Sequence, residues 1–320
     1  MEKLESKKVN PIIFGPVNSR RFGRSLGIDL SPSKKQCNFD CVYCELEGKK
    51  PQAHMDEIVP LEDILSELEQ NYDKNIDVLT ITANGEPTLY PYLYELIVEI
   101  KKRYRAKTLI LSNGSKFGDP KTRAALLLFD IVKFSFDGGD EKSFARVDRP
   151  HKSLDFGVIK RDILEFSKIY QGQLIAEILF VKNLNDKLKD LQSIIAFFKT
   201  INVSRIDLST IDRPPAHNCA PLAQSELEFI ASFLRDNLDC NISVPKRAKV
   251  TTIKQESFIL DAKKILETIK RRPLEVNELK NMLDLKGELK LIELIENGKI
   301  WMQESGGNEF YTVKKPAKIG

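Results

Sequence analysis

The sequence has few cysteines, no long apolar run and no strong excess of either charge. Five cysteines in 320 residues are too few for a disulfide framework, and no apolar run approaches the roughly 20 residues that a membrane span requires. The first ten residues, MEKLESKKVN, lack the apolar core of a secretory signal. Lys and Arg number 50 against 46 Asp and Glu, so bulk charge does not indicate a nucleic-acid-binding protein. We expect a cytoplasmic globular protein whose thiols stay reduced, with no membrane segment.

From residue 25 onward, short apolar runs alternate with longer segments of helical periodicity, a pattern typical of strand–helix units around a parallel sheet. Strands are predicted at residues 25–30, 77–83, 107–113, 131–137, 174–181 and 205–211. Helices are predicted at residues 61–72, 91–104, 120–129, 154–170, 187–200 and 225–237. Six units are fewer than the eight of a closed barrel, so the pattern predicts an α/β fold, a partial (β/α)6 barrel over residues 25–250 after an extension at 1–24. A doubly wound sheet is the alternative.

The pattern changes after residue 255. Three short amphipathic helices are predicted at 259–272, 275–285 and 286–299, followed by a hairpin at 300–314 that turns at Gly306 and Gly307. This order predicts a small winged-helix-like α+β domain over residues 256–316. The helix that would enter DNA carries Glu288, Glu293 and Glu296, which favours a partner-binding or substrate-gating role over DNA reading.

Three of the five cysteines, Cys37, Cys41 and Cys44, lie in the stretch QCNFDCVYCEL at residues 36–46. The loop between the first strand and the first helix is ~30 residues long, whereas structureless loops beyond about 12–15 residues are uncommon and usually functional. Three thiolates suit a soft metal or an iron–sulfur cluster. A structural zinc ion would need a fourth ligand. His54, Cys219 and Cys240 are candidates for it, although we expect the last two to be structural.

The spacing Cys-x3-Cys-x2-Cys, with Tyr43 before the last cysteine, resembles the defining motif of the radical S-adenosylmethionine (SAM) superfamily, over about residues 25 to 245. The resemblance implies a radical SAM barrel in which Cys37, Cys41 and Cys44 bind a [4Fe-4S] cluster and SAM binds the fourth iron. It also implies reductive cleavage of SAM to methionine and a 5'-deoxyadenosyl radical, with flavodoxin or ferredoxin as the electron donor.

Further motifs follow the predicted strands. The turn Asn84-Gly85-Glu86 corresponds to the Gly-Gly-Glu-type turn that binds the amino group of SAM in the superfamily, with Asn84 as a departure. The sequences SNGS (112–115) and SFDGG (135–139) end the third and fourth strands, and both are also ordinary turn formers. The resemblance implies that the residues contacting SAM are Tyr43, Asn84, Gly85, Glu86, Ser112, Asn113, Ser135 and Asp137. All follow or close a strand, so we expect them at one edge of the barrel.

The segments FGPVNSRRFGRSLGIDL (14–30), DRPH (148–151) and DRPPAH (212–217) resemble the Fe-S oxidoreductases grouped with wybutosine-synthesising enzymes, which implies tRNA as a substrate. The chain lacks the cysteines before Cys37 that the archaeal wybutosine synthases use for a second cluster. An anionic substrate is expected to meet arginines at the active edge, since guanidinium groups bind phosphate and carboxylate. These are Arg20, Arg21, Arg24, Arg149 and Arg213. The alternative is that several of these are solvated surface charges and that Asp148–Arg149 and Asp212–Arg213 are local ion pairs. His151 and His217 are acid–base groups or polar loop residues.

Two other functions stay open at this point. The first is a radical activase that acts on a partner protein held by the C-terminal domain. The second is not an enzyme: a zinc-stabilised winged-helix regulator that binds DNA.

Overall fold

The computed structural model describes residues 11–19, 21–244, 262–271, 273–305 and 307–313. Its main feature is an eight-stranded sheet in which the strands follow one another in chain order. The strands are β1 (Ile13–Ser19), β2 (Gly23–Asp29), β3 (Val78–Thr82), β4 (Lys107–Ser112), β5 (Ile131–Ser135), β6 (Gln173–Phe180), β7 (Arg205–Thr210) and β8 (Ile242–Ser243). All neighbours from β2 to β8 are parallel, and β1 pairs antiparallel with β2.

Helices connect the parallel strands. They are α1 (Leu61–Asn71), α2 (Leu93–Arg103), α3 (Pro120–Leu126), α4 (Glu141–Val147), α5 (Phe156–Ile169), α6 (Leu188–Phe198) and α7 (Gln224–Asn237). Aspartates begin three of them: the side chain of Asp119 accepts a hydrogen bond from Thr122 N, that of Asp140 from Ser143 N and that of Asp155 from Val158 N. Of the helices that the structure describes, none is long and apolar enough to cross a membrane.

The six predicted strands and six predicted helices are confirmed. Strand β1 was not predicted, because its Gly15-Pro16 pair signals a turn; a shift in register between Phe14 and Val17 accommodates the pair. Part of the predicted N-terminal extension therefore belongs to the sheet. Helix α4 was also missed, since seven residues give too few turns for a clear periodicity.

The strand order decides between the two α/β architectures. A doubly wound sheet reverses its strand order at a switch point, whereas here the order follows the chain from one edge to the other. Alternate residues of the strands, such as Leu26, Leu79 and Ile110, lie in one core with helix residues such as Ile64 and Leu96. The opposite face of the strands forms the interior of a partial barrel. Its carboxyl edge carries the loops that form the site described below.

The C-terminal residues form a small unit with its own core. It contains α8 (Ala262–Arg271), β9 (Leu274–Glu275), α9 (Val276–Met282), α10 (Leu285–Glu296), β10 (Trp301–Ser305) and β11 (Asn308–Thr312). Its buried residues include Ile265, Leu279, Leu291, Ile300 and Tyr311. The three predicted helices and the hairpin are confirmed. Gly306 lies outside the described residues. The likeness to a winged helix and the domain limits stay predictions.

Candidate functional site

The cysteine loop is fixed to the turn after β3 by main-chain hydrogen bonds. Gln36 N donates to Asn84 O at 2.8 Å, and Glu86 N donates to Gln36 O at 3.0 Å. Between them, Gly85 has a φ of 140°, and a Cβ atom there would lie 1.9 Å from the carbonyl oxygen of Gln36. Only glycine fits this position. Because Gly85 has no side chain and adopts this φ, its backbone packs directly against the loop that carries Cys37, as the sequence predicted for this glycine.

Glu86 connects this turn to the end of β4. Its buried carboxylate accepts hydrogen bonds from Ser112 Oγ at 2.8 Å and from Asn113 N at 2.6 Å. It also accepts bonds from the backbone N–H and hydroxyl of Thr88. Burial raises the pKa of Glu86, and these hydrogen bonds act in the opposite direction. The structure therefore gives Glu86 and Ser112 a positioning role at the edge, and their contact with SAM stays a prediction.

An amide pair joins the cysteine loop to the same edge. Asn113 Nδ2 donates to Asn38 Oδ1 at 2.7 Å, and Asn38 Nδ2 donates to Ser115 Oγ at 2.7 Å. The carbonyl of Asn38 accepts from His151 N at 2.8 Å, which adds the segment after α4. Asn38 is almost fully buried. It was missed in the sequence because an asparagine between two cysteines has no distinctive pattern.

Tyr43 connects the third cysteine to the end of β5. Its hydroxyl donates to Asp137 Oδ2 at 2.5 Å, and Leu179 N donates to Asp137 Oδ1 at 2.7 Å. Burial raises the pKa of Asp137 to about 7. Burial, together with the neighbouring Asp137, also raises the pKa of Asp148 well above its ordinary value. Two buried carboxyl groups thus lie together next to the cysteine loop.

The position of Asp148 corrects one sequence interpretation. The DRPH motif suggested a local ion pair between Asp148 and Arg149 as the alternative to a binding role. Instead Asp148 is buried and accepts a hydrogen bond from Cys41 Sγ at 3.6 Å, while Arg149 is exposed. The reason is the backbone of Arg149, whose positive φ of 46° separates the directions of the two side chains.

The three thiols have different surroundings. Cys37 Sγ accepts from Phe39 N at 3.4 Å, Cys41 lies beside Asp148, and Cys44 Sγ accepts from Lys35 Nζ at 3.4 Å. Burial raises the pKa of Cys37 to about 12 and also raises the pKa of Cys41; the charge of Cys44 acts in the same direction on both thiols, and that of Cys37 does so on Cys41. Lys35 was missed in the sequence.

This arrangement fits a polynuclear cluster better than one metal ion. Among the residues that the structure describes, no three His, Cys, Asp or Glu side chains converge on a position for a single ion. A [4Fe-4S] cluster has no such requirement, because each thiolate binds a different iron. The possible fourth zinc ligands do not join the three thiols: His54 is exposed, Cys240 packs against the main core, and Cys219 Sγ contacts Val42 O at 3.3 Å.

The turn at Asn84 fits a bound polar cofactor. Asn84 Oδ1 is buried and accepts no hydrogen bond within the described part of the chain. A buried carbonyl oxygen without a donor is costly, and a donor from a bound molecule would satisfy it. Ser135 is half-buried at the end of β5, beside Glu177 on β6. The sequence-predicted SAM contacts therefore lie along one edge, around the cysteine loop.

The predicted substrate arginines divide between the two ends of the barrel. Arg149 follows α4 at the carboxyl edge, and Arg213 Nη1 bonds Glu45 Oε2 at 2.8 Å, next to Cys44. Arg21 and Arg24 were wrongly expected at this edge. Arg21 precedes β2 and Arg24 is its second residue, so both lie at the amino end of the parallel strands. There Arg21 forms an ion pair with Asp207, and Arg24 forms one with Asp73. Arg20 lies outside the described residues.

The two loop histidines have partners on the cysteine-loop side. His217 Nε2 lies 3.0 Å from Asp40 Oδ2, and that contact holds the segment after β7 against the cysteine loop. Ala216 N donates to Cys44 O at 2.7 Å in the same segment. His151 Nδ1 is 2.7 Å from Ser153 Oγ. Both histidines therefore have structural contacts, and an acid–base role stays a prediction.

Comparisons with known proteins agree with this geometry. The Radical SAM superfamily model matches residues 33–194. A UPF0026 protein of Helicobacter pylori (strain 26695) is 48% identical over 310 residues, which cover 96% of this chain and 99% of that protein.

A solved structure with a TM-score above 0.5 shows the same fold. A radical SAM methyltransferase from Sphaerobacter thermophilus superposes with a TM-score of 0.53 at 10% identity, covering 70% of this chain and 67% of that one. The structure of TYW1 with a lysine-pyruvate adduct has a TM-score of 0.46 at 22% identity, covering 67% and 74%. The family match includes the cysteine loop and the ends of β3, β4 and β5. The chain therefore belongs to the radical SAM superfamily, whose cofactors are a [4Fe-4S] cluster and SAM.

Proposed function

We propose that this protein is a radical SAM enzyme that abstracts a hydrogen atom from an anionic substrate, with tRNA as the first candidate. Cys37, Cys41 and Cys44 would hold the cluster. The residues that would surround SAM are Tyr43, Asn84, Gly85, Glu86, Ser112, Asn113, Ser135 and Asp137. When bound, these cofactors supply a 5'-deoxyadenosyl radical. Membership of an enzyme superfamily sets aside the zinc-stabilised regulator.

The protein's own residues would position the reactants and shield them. The bonds from Gln36 to the β3 turn, from Asn38 to Asn113 and from Tyr43 to Asp137 hold the cysteine loop at three neighbouring strand ends. Such a rigid frame keeps reacting groups aligned, which contributes to the rate. Because Cys37 and Cys41 lie mostly away from solvent, the loop would also limit access of water and oxygen.

The proposal of an anionic substrate rests on the position of Arg149. Its side chain is exposed at the carboxyl edge, and its left-handed backbone is held by Asp40 N, which lies 3.2 Å from Arg149 O. A strained backbone at such a place is often functional. The charge of Arg149 also reaches Cys219, where it opposes the rise in thiol pKa that burial causes. A phosphate or carboxylate at the mouth of the site would contact the guanidinium of Arg149. Arg213, on the loop after β7, would be a second cation at the same edge.

The enzyme activity is tested by anaerobic reconstitution with iron and sulfide, followed by dithionite and SAM. Wild-type protein is expected to yield 5'-deoxyadenosine, and Cys41→Ala is expected to yield none. Equal yields from both proteins would contradict the proposal. In cells, a one-electron donor of the flavodoxin or ferredoxin class would replace dithionite.

The substrate class is tested by the binding of tRNA as a function of salt concentration. Arg149→Ala is expected to weaken binding by roughly tenfold and to reduce the slope of log affinity against log salt by about 1. Arg24→Ala is the matched control, because it removes a partly exposed arginine at the opposite end of the barrel. Equal effects of the two variants would contradict an anion site at Arg149.

A second candidate substrate is a partner protein, and α10 favours it. Leu285, Leu289 and Ile292 are 80%, 66% and 50% exposed. Their spacing of four and three residues places them on one face of the helix. Glu288 and Glu293 flank this face, Glu293 is paired with Lys290 at 2.8 Å, and the face would suit the apolar side of an amphipathic helix from a partner protein. This partner would make the protein an activase.

A further inference from the structure

A buried lysine contacts one of the three thiols. Lys35 is 2% exposed, and its Nζ lies 3.4 Å from Cys44 Sγ. The same ammonium donates to Glu47 O at 2.8 Å and lies 3.6 Å from Asp40 Oδ1. All its contacts come from the cysteine loop. Lysine is almost never this buried unless it has such partners, so the position needs an explanation.

The surroundings hold Lys35 in its charged form. The carboxylate of Asp40 lies 3.6 Å from its ammonium, and Glu47 O and Cys44 Sγ accept hydrogen bonds from it, so this buried lysine has the partners that a buried charge requires. Cys41 contacts Asp148, and the charge of Lys35 also acts on Cys37, although without a hydrogen bond. The surroundings of the three ligands are therefore unequal, since Lys35 donates a hydrogen bond to Cys44.

The distance between Lys35 and Cys44 is set by the fold. Ala216 N donates to Cys44 O at 2.7 Å, which fixes the backbone of the cysteine. On the other side, Lys35 O accepts from Lys49 Nζ at 2.8 Å. The carbonyl of Glu47 and the carboxylate of Asp40 limit the remaining rotation of the ammonium.

We propose that Lys35 raises the reduction potential of the cluster by donating a hydrogen bond to the Cys44 thiolate and by placing a positive charge beside it. Hydrogen bonds to ligand sulfurs and local charge are the means by which proteins set these potentials. Reduction transfers one electron from a one-electron donor, which is oxidised, and adds one negative charge to the site. The ammonium attracts the more negative state more strongly, and the step as written transfers one electron and no proton.

The consequence concerns the choice of electron donor. An uncompensated site of three thiolates would be hard to reduce because each added electron meets negative charge. Lys35 offsets part of that repulsion and brings the potential within reach of a protein donor. This inference rests on the cluster alone, and the substrate proposed above does not enter it.

The test is a one-electron redox titration of reconstituted protein, followed by electron paramagnetic resonance, without SAM or substrate. Lys35→Met is expected to lower the equilibrium constant for reduction about tenfold, which is about 59 mV for one electron. Lys35→Gln keeps an N–H donor without the charge and is expected to shift less. Lys34→Met is the matched control, because Lys34 is 30% exposed and pairs with Glu57, away from the thiols.

Three results would overturn the proposal. The first is an unchanged potential in Lys35→Met at wild-type iron and sulfide content. The second is an unchanged potential with a weaker affinity for SAM, which would make Lys35 a ligand of the SAM carboxylate. The third is failure of both Lys35→Met and Lys35→Gln to retain iron and sulfide, which would make Lys35 necessary for assembly of the cluster instead.

Discussion

The hydroxyl of Tyr43 donates a 2.5 Å hydrogen bond to Asp137, which joins the aromatic residue of the cysteine motif to the end of β5. Asp137 is almost fully buried and Tyr43 is half-buried, so loss of the contact leaves a buried carboxyl oxygen without its donor. Tyr43→Phe is expected to cost about 1–3 kcal/mol in the free energy of unfolding, measured by urea denaturation. Tyr92→Phe is the control, since Tyr92 is 47% exposed and its change should stay within about 0.5 kcal/mol. Equal losses of unfolding free energy in the two variants would contradict a stabilising hydrogen bond between Tyr43 and Asp137.

The same carboxyl predicts a dependence of stability on pH. Burial raises the pKa of Asp137 to about 7, so the folded protein holds this proton more tightly than the unfolded chain does. The stability that this group contributes is present at low pH and is lost as pH rises through 7. The free energy of unfolding of cluster-free protein, relative to Asp137→Asn, is therefore expected to fall from pH 5 to pH 8. The asparagine keeps an oxygen for Leu179 N, and the Tyr43 hydroxyl can turn to accept from its amide. A constant difference would contradict the assignment.

Gly85 predicts a defect in cluster loading. A Cβ atom at this residue would meet the carbonyl of Gln36 at 1.9 Å, and the φ of 140° is unfavourable for alanine. Gly85→Ala is expected to displace the cysteine loop, so iron and sulfide bound after reconstitution should fall well below the wild-type amount. Gly157→Ala is the control, because its Cβ would meet only the Asp155 side chain, at 3.2 Å, on an exposed helix. Full loading in Gly85→Ala would show that the loop does not depend on this contact.

The sequence was sufficient for those parts of the site that depend on order along the chain. Cys37, Cys41 and Cys44 share one loop, and Glu86, Asn113 and Asp137 follow successive strands, so a parallel sheet brings them to one edge. The same rule explains why Arg21 and Arg24 were placed wrongly. Residues before or at the start of a parallel strand lie at its amino end, opposite the edge that carries the site. The partners of Cys41 and Cys44 could not be predicted. Asp148 and Lys35 reach those thiols through tertiary packing. Nothing in the neighbouring sequence distinguishes Lys35 from the rest of the chain's 50 Lys and Arg residues.

The two sides of α10 predict opposite effects on the stability of the C-terminal unit. Leu291 is 3% exposed and lies in the unit's core, whereas Leu289, two residues earlier, is 66% exposed. Leu291→Ala is expected to cost about 2–5 kcal/mol, and Leu289→Ser is expected to stay within about 0.5 kcal/mol. Trp301 is the chain's single tryptophan and begins β10, so its fluorescence during urea denaturation reports on this unit alone.

A large loss of unfolding free energy in Leu289→Ser would mean that the face of α10 formed by Leu285, Leu289 and Ile292 is covered in solution and is not free to bind a partner. A small cost leaves three large apolar side chains on the surface without a role in folding. Exposed apolar area of this kind is a liability for solubility unless a partner covers it, and apolar side chains offer no contact to a phosphate backbone. The small cost would therefore favour the partner protein over tRNA as the molecule that this unit contacts, and tRNA affinity should then be the same in Leu289→Ser and wild-type protein.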